Sequence, residues 1–169
     1  FHLSNAFDDG GDVVVDAITY ADGRLLERIA RFHTSSLADA PGRFTRFRVT
    51  ASGRVSAEAL SDSPCEFPRH HPGREGRPHR YAFVNTRRTL GAFYDTVTKL
   101  DLAERTEVSY PAPEVGNSFC EPVFTPRPGG TAEDDGWLLT VEYQAAQHVS
   151  RLVILDARDP SAGPVATAQ

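Results

Sequence analysis

The sequence has 169 residues, 40% of them hydrophobic and 24% charged, with 23 acidic against 18 basic side chains and a net charge of −5. That balance describes a globular chain with enough apolar residues for one core or two small ones, and it excludes a disordered tail. The longest apolar runs, such as Leu152–Leu155, fall far short of the ~20 residues that cross a bilayer, and no basic stripe is present to neutralise phosphates. Membrane-spanning and nucleic-acid-binding classes are therefore excluded.

Cys65 and Cys120 are too few for a disulfide framework and lack metal-ligand spacing, so they are read as packed thiols of a cytoplasmic protein. The chain contains no Met and begins Phe1-His2, which reads as a piece of a longer protein. Asp8-Asp9-Gly10-Gly11-Asp12 stands where a signal peptide would need an apolar stretch. Arg supplies 17 of the 18 basic residues, Lys99 being the exception, a bias expected of a GC-rich bacterial coding sequence.

Along the chain, short β-branched and aromatic runs alternate with Gly, Pro, Asp and Asn clusters, while 3.6-residue periodicity is scarce. Val13–Tyr20 is predicted as a strand, and Arg43–Thr50 and Arg54–Leu60 as a hairpin turned by Ala51-Ser52-Gly53. Further predicted strands are Arg80–Asn85, Leu90–Phe93, Thr96–Asp101, Thr106–Ser109, Pro122–Thr125, Trp137–Gln144, Arg151–Asp156 and Pro164–Thr167. Gly23–Phe32 is the best helix candidate, since Leu25, Leu26, Ile29 and Phe32 fall near one face, although the segment is brief. Phe67–Pro78, Pro111–Pro113 and Thr125–Ala132 read as long connections. Many short strands without a βαβ rhythm define an all-β class, with sandwich, barrel and propeller left open by pattern alone.

Several residues invite a chemical reading. His2 stands beside an aromatic residue; taken alone, such a histidine is more often a packed or surface group than a metal ligand. His70, His71 and His79 form the one local histidine cluster, set among prolines, glycine and arginines, which reads as a solvated loop before it reads as a metal site. Glu66 and Glu121 both carry apolar flanks, in Cys65-Glu66-Phe67 and Cys120-Glu121-Pro122. A carboxylate in such surroundings is either turned outward or bonded to a donor: a cation, for instance Arg69, or the Nδ1–H of a metal-bound imidazole. Their spacing suits equivalent positions on two propeller blades of ~40–45 residues plus a loop. Glu133-Asp134-Asp135-Gly136-Trp137 reads as a solvated acidic turn leading into a strand, and it is not a calcium loop. Nucleotide, dinucleotide, serine-hydrolase and zinc-protease motifs are absent from the sequence.

Taken in order, Phe1-His2-x-x-Asn5-Ala6, Glu66-Phe67-Pro68-Arg69, Gly76-Arg77, Arg80-Tyr81-Ala82, Glu121-Pro122-x-Phe124, Glu133-Asp134-Asp135-Gly136-Trp137-Leu138 and Ile154-Leu155-Asp156-Ala157 resemble the carotenoid cleavage oxygenases. That family includes apocarotenoid oxygenases, lignostilbene dioxygenases and the retinoid isomerase of the visual cycle. The resemblance covers nearly all of this chain but only the C-terminal third or so of a family member. It implies about three blades of a seven-bladed β-propeller, with few or short helices, as one partial domain over residues 1–169.

It further implies a non-haem Fe(II) held by four histidines backed by three glutamates, with dioxygen and an apolar conjugated polyene or stilbene as reactants and any membrane contact of the whole protein peripheral. His2 matches the third histidine ligand, Glu66 the carboxylate behind it, and Glu121 the carboxylate behind the fourth. The fourth ligand itself belongs to an aromatic-His-Gly motif that this sequence lacks, and His148 has the wrong setting to replace it. With one ligand of four, the 169-residue chain is expected neither to hold iron tightly nor to turn over. The competing reading is a non-catalytic propeller or sandwich that serves as a binding module, with His2, Glu66 and Glu121 as structural polar groups. Metal sequestration by His70, His71 and His79 ranks last.

Overall fold

The computed structural model describes residues 2–31, 41–88 and 93–169. Among these residues thirteen strands fall into three antiparallel sheets, two of four strands and one of five. The first sheet comprises β1 (Leu3–Asp9), β2 (Asp12–Thr19), β3 (Arg43–Val49) and β4 (Val55–Ala59). The second comprises β5 (Cys65–Arg69), β6 (Tyr81–Thr86), β7 (Thr96–Asp101) and β8 (Thr106–Pro111). The third runs β10 (Val123–Pro126), β11 (Gly136–Gln144), β12 (Val149–Asp156) and β13 (Pro164–Ala168), with the two-residue β9 (Ser118–Phe119) also paired to β11. Three consecutive four-stranded meanders packed face to face are blades of a propeller. The all-β expectation therefore holds.

Side-chain alternation explains how one sheet serves two cores. On β6, Ala82 and Val84 face the first sheet, joining Ile18, Phe44, Leu60, Cys65, Leu100 and Leu102. Phe83, from the other face of the same strand, packs with Val97, Phe119, Phe124, Leu138, Val153 and Leu155 of the second and third sheets. A period-2 strand covered on both faces reads as a near-continuous buried run, which is what β6 and β7 show.

The helix is shorter than the sequence pattern suggested: α1 spans Arg24–Ile29, and Phe32 lies outside the described residues. The predicted strand Leu90–Phe93 falls largely on residues 89–92, also outside them. Two strands arise where the sequence was read as motif or loop, β1 and β5. β5 contains Pro68, a residue normally excluded from strand interiors, and accommodates it at an irregularity where the register to β6 shifts between Glu66 and Arg69. No helix among the described residues is long and apolar enough to cross a membrane.

The acidic turn before β11 is not solvated as expected. Glu133 accepts the backbone N–H groups of Arg80 (2.7 Å) and Tyr81 (2.8 Å) and pairs with Arg74. Asp134 receives Lys99 Nζ at 2.6 Å, and Asp135 pairs with both Arg127 and Arg158. The turn latches the third sheet to the second, because carboxylates placed against backbone N–H groups and the buried Lys99 ammonium form charge-assisted bonds.

Candidate metal centre

His2 enters immediately before β1, and Glu66 is the second residue of β5, so the packing of the first two sheets brings them together across 64 positions of sequence. His2 Nδ1 lies 2.6 Å from Glu66 Oε2. A carboxylate only accepts, so Nδ1 carries the proton and the imidazole lone pair is placed on Nε2, the atom a metal would take. The exposures fit that polarity: the His2 side chain is 45% exposed, while the carboxylate behind it is 6% exposed.

Glu66 is held by more than the imidazole. Its Oε1 accepts the Tyr20 hydroxyl at 2.5 Å, and its Oε2 also accepts the backbone N–H of Phe67 at 2.7 Å. Phe67 has a φ of +55°, a left-handed conformation that costs a non-glycine residue, and it sits in the β5 irregularity that turns Glu66 toward the first sheet. Burial alone would push the Glu66 carboxyl up; the bonds from Tyr20, Phe67 and His2 outweigh it and hold the group below its ordinary value, hence ionised. The Tyr20 hydroxyl is pushed up, by burial first and then by its bond to Glu66. The Phe67 ring flanks His2 at 5.4 Å between centroids and meets Tyr94 edge-on at 5.7 Å.

Gly42 makes the approach of these elements feasible. A Cβ there would lie 2.4 Å from the Cys65 carbonyl oxygen, 2.8 Å from Ile18 Cγ2 and 3.0 Å from the Tyr20 hydroxyl. Tyr20, Phe67, Tyr94 and Gly42 carry no motif of their own; Tyr20 could have been singled out only as a polar tip at the end of a core strand.

The other expected site residues are placed differently. Glu121 forms an ion pair with Arg69, so the cationic partner considered for the two carboxylates serves Glu121 and not Glu66. Cys65 is buried, its thiol pushed up to about 12 chiefly by burial, but Cys120 is exposed, contrary to the packed-thiol reading; both are free. His148 bonds the Tyr143 hydroxyl at the surface.

The histidine loop is largely exposed, as expected, over residues 72–78, with His70 and His71 half-buried; His79 departs from that reading. His79 is buried and accepts from Asn5 Nδ2 at 3.1 Å; its Nε2 stands 3.5 Å from Asp16, and its ring lies 5.2 Å from that of His70. Burial lowers the His79 pKa to about 4, so the ring is neutral. His71 accepts the Gly73 N–H and packs on Phe124. Among the described residues no three His, Cys, Asp or Glu side chains converge to hold a metal. What the chain offers is one carboxylate-backed imidazole, a donor pair whose chemistry fits a borderline metal such as iron without completing its coordination.

Three antiparallel blades, with an imidazole locked by a buried carboxylate between the first two, define a β-propeller protein. The family model described as Retinal pigment epithelial membrane protein matches residues 1–169. The apocarotenoid-15,15'-oxygenase of Synechocystis sp. is 38% identical over 171 residues, covering 99% of this chain and 35% of that protein. The carotenoid isomerooxygenase of Galleria mellonella is 31% identical over 173 residues, covering 93% of this chain and 33% of its own length. A cobalt-substituted structure of the Synechocystis enzyme superposes with a TM-score of 0.89 at 38% identity, covering 99% of this chain and 36% of that one. The chain belongs to this family, that of the carotenoid oxygenases. It spans about a third of the length of the relatives it matches.

Proposed function

We propose that this chain is the C-terminal part of a non-haem Fe(II) oxygenase that splits a conjugated C=C bond of a carotenoid, apocarotenoid or stilbene with dioxygen, giving two carbonyl products. The observation that carries the reading is the 2.6 Å bond from the imidazole of His2 to the buried carboxylate of Glu66. When bound, a ferrous ion would supply activation of dioxygen at open coordination positions. His2 would hold it through Nε2. Glu66 fixes the imidazole's tautomer and direction, and its negative charge offsets part of the metal's charge through the ring. The Phe67 ring flanks the imidazole, and the carboxylate behind it is buried. Glu121, now paired with Arg69, would stand behind an imidazole supplied from outside this chain. A groove of about 540 Å³ lined by Ile18, Tyr20, Leu25 and Leu26, with Thr19 and Asp22 as its polar members, would suit a largely apolar reactant.

The test is metal analysis of the full-length protein with His2→Ala. At least a tenfold loss of bound iron, together with loss of cleavage, is expected. Unchanged iron stoichiometry would overturn the reading in favour of a non-catalytic binding module.

A further inference from the structure

We propose that Tyr20 is a positioning residue of the metal centre, fixing the Glu66 carboxylate from the side opposite His2 so that the imidazole is held in one direction. The inference rests on the reading of His2 and Glu66 given above. Glu66 has two oxygens, and each has a separate anchor: Oε2 takes His2 and the Phe67 N–H, and Oε1 takes Tyr20. The terminal torsion of a glutamate is intrinsically broad, so a carboxylate held at one oxygen can swing and carry the imidazole with it. Held at both, it cannot. The Tyr20 contact, at 2.5 Å, is in the range of a charge-assisted O–H···O⁻ bond.

Tyr20 is itself immobilised. Its ring packs on the core between the first two sheets, and its hydroxyl faces the closely approaching backbone of Gly42. This chain of contacts runs from the end of β2 through the Glu66 carboxylate to the ring nitrogen of His2.

The test uses Co(II) as a spectroscopic probe in the full-length apoprotein, reading affinity by chelator competition and ligand field by the visible absorption band. Tyr20→Phe keeps the ring and removes the anchor. It is expected to weaken Co(II) binding by about tenfold, the lower end of what outer partners of metal ligands contribute, and to move the band, while the apoprotein melts within a few degrees of wild type. In a Glu66→Gln background the same substitution should have little further effect, because Tyr20 acts through the carboxylate. Wild-type affinity and band for Tyr20→Phe, or full additivity with Glu66→Gln, would overturn the inference. Should Tyr20→Phe fail to fold, 3,5-difluorotyrosine at position 20 keeps shape and hydroxyl but donates more strongly; a shifted band supports the role, and an unshifted one refutes it. His2→Ala separates the two claims: if it leaves Co(II) binding unchanged, the metal centre itself is misassigned, whereas a loss with His2→Ala beside an unaffected Tyr20→Phe sinks only the role of Tyr20.

Discussion

Replacing Glu133 by Ala removes one of the acceptors that link the second and third sheets. The carboxylate takes the N–H groups of Arg80 and Tyr81 at 2.7 and 2.8 Å and pairs with Arg74 Nε at 3.2 Å. A hydrogen bond to a charged partner contributes about 1.5–3 kcal/mol where water cannot replace it. The Tyr81 bond is part-buried and keeps most of that value, while the Arg80 bond is exposed and retains a fraction. The Arg74 pair, half open to solvent, adds about 0–1 kcal/mol. The Ala variant should therefore lose about 3 kcal/mol, a large share of the ~5–15 kcal/mol typical of a folded protein. Glu133→Gln keeps Oε1 as acceptor and should lose less than about 1 kcal/mol. Urea unfolding followed by far-UV circular dichroism measures both. An Ala variant within about 0.5 kcal/mol of wild type, or a Gln variant as costly as Ala, would refute the latch.

Two other outcomes follow from particular contacts. The imidazole of His79, buried beside Asp16, His70, Arg46 and Arg74, has its pKa depressed to about 4, so below about pH 6.5 the unfolded chain binds a proton that the folded one refuses. Stability should fall as pH drops from about 6.5 towards 4, by at most about 3 kcal/mol from this group, and His79→Asn should flatten that part of the profile. An identical slope in the variant would contradict it. Gly42→Ala should lower stability by about 1–3 kcal/mol, because the new methyl meets the Cys65 carbonyl at 2.4 Å and backbone must shift. Gly23→Ala, with nothing within 4 Å of the added carbon, serves as the comparison and should be close to neutral; equal melting temperatures for the two variants would remove the argument.

Much of the β framework was legible because its strands bury apolar side chains in regular alternation. Thr96–Asp101 agrees with β7 at both ends, and the hairpin turned by Ala51-Ser52-Gly53 pairs β3 with β4. The misses have local causes. β1 carries a buried Asn5 whose side chain anchors the loop at Arg74, Gly76 and Arg77, so its inward face does not read as apolar. β5 hides behind Pro68, a residue that argues against a strand until the irregularity at Phe67 is seen. The acidic turn at Glu133–Asp135 looked solvated because its partners, Arg74, Arg80, Lys99, Arg127 and Arg158, are scattered along the chain. His79 lies in a loop as expected but is buried, which the sequence did not signal because Asp16 and Asn5, which enclose it, belong to another sheet.

The candidate site was legible only through family resemblance. No spacing rule connects His2 to Glu66, since sheet packing and not local geometry sets that contact. Tyr20 was missed because nothing in a strand-ending tyrosine announces what its hydroxyl will meet, and Glu121 met Arg69 because the residues around it in this chain supply a guanidinium.

If His2, steadied by Glu66, holds iron as proposed, an anomalous-scattering map of the full-length protein at the iron edge should show a peak in bonding contact with His2 Nε2, on the side of the ring away from Glu66. A His2 imidazole with no metal beside it, in a protein whose iron sits elsewhere or is absent while cleavage proceeds, would contradict it.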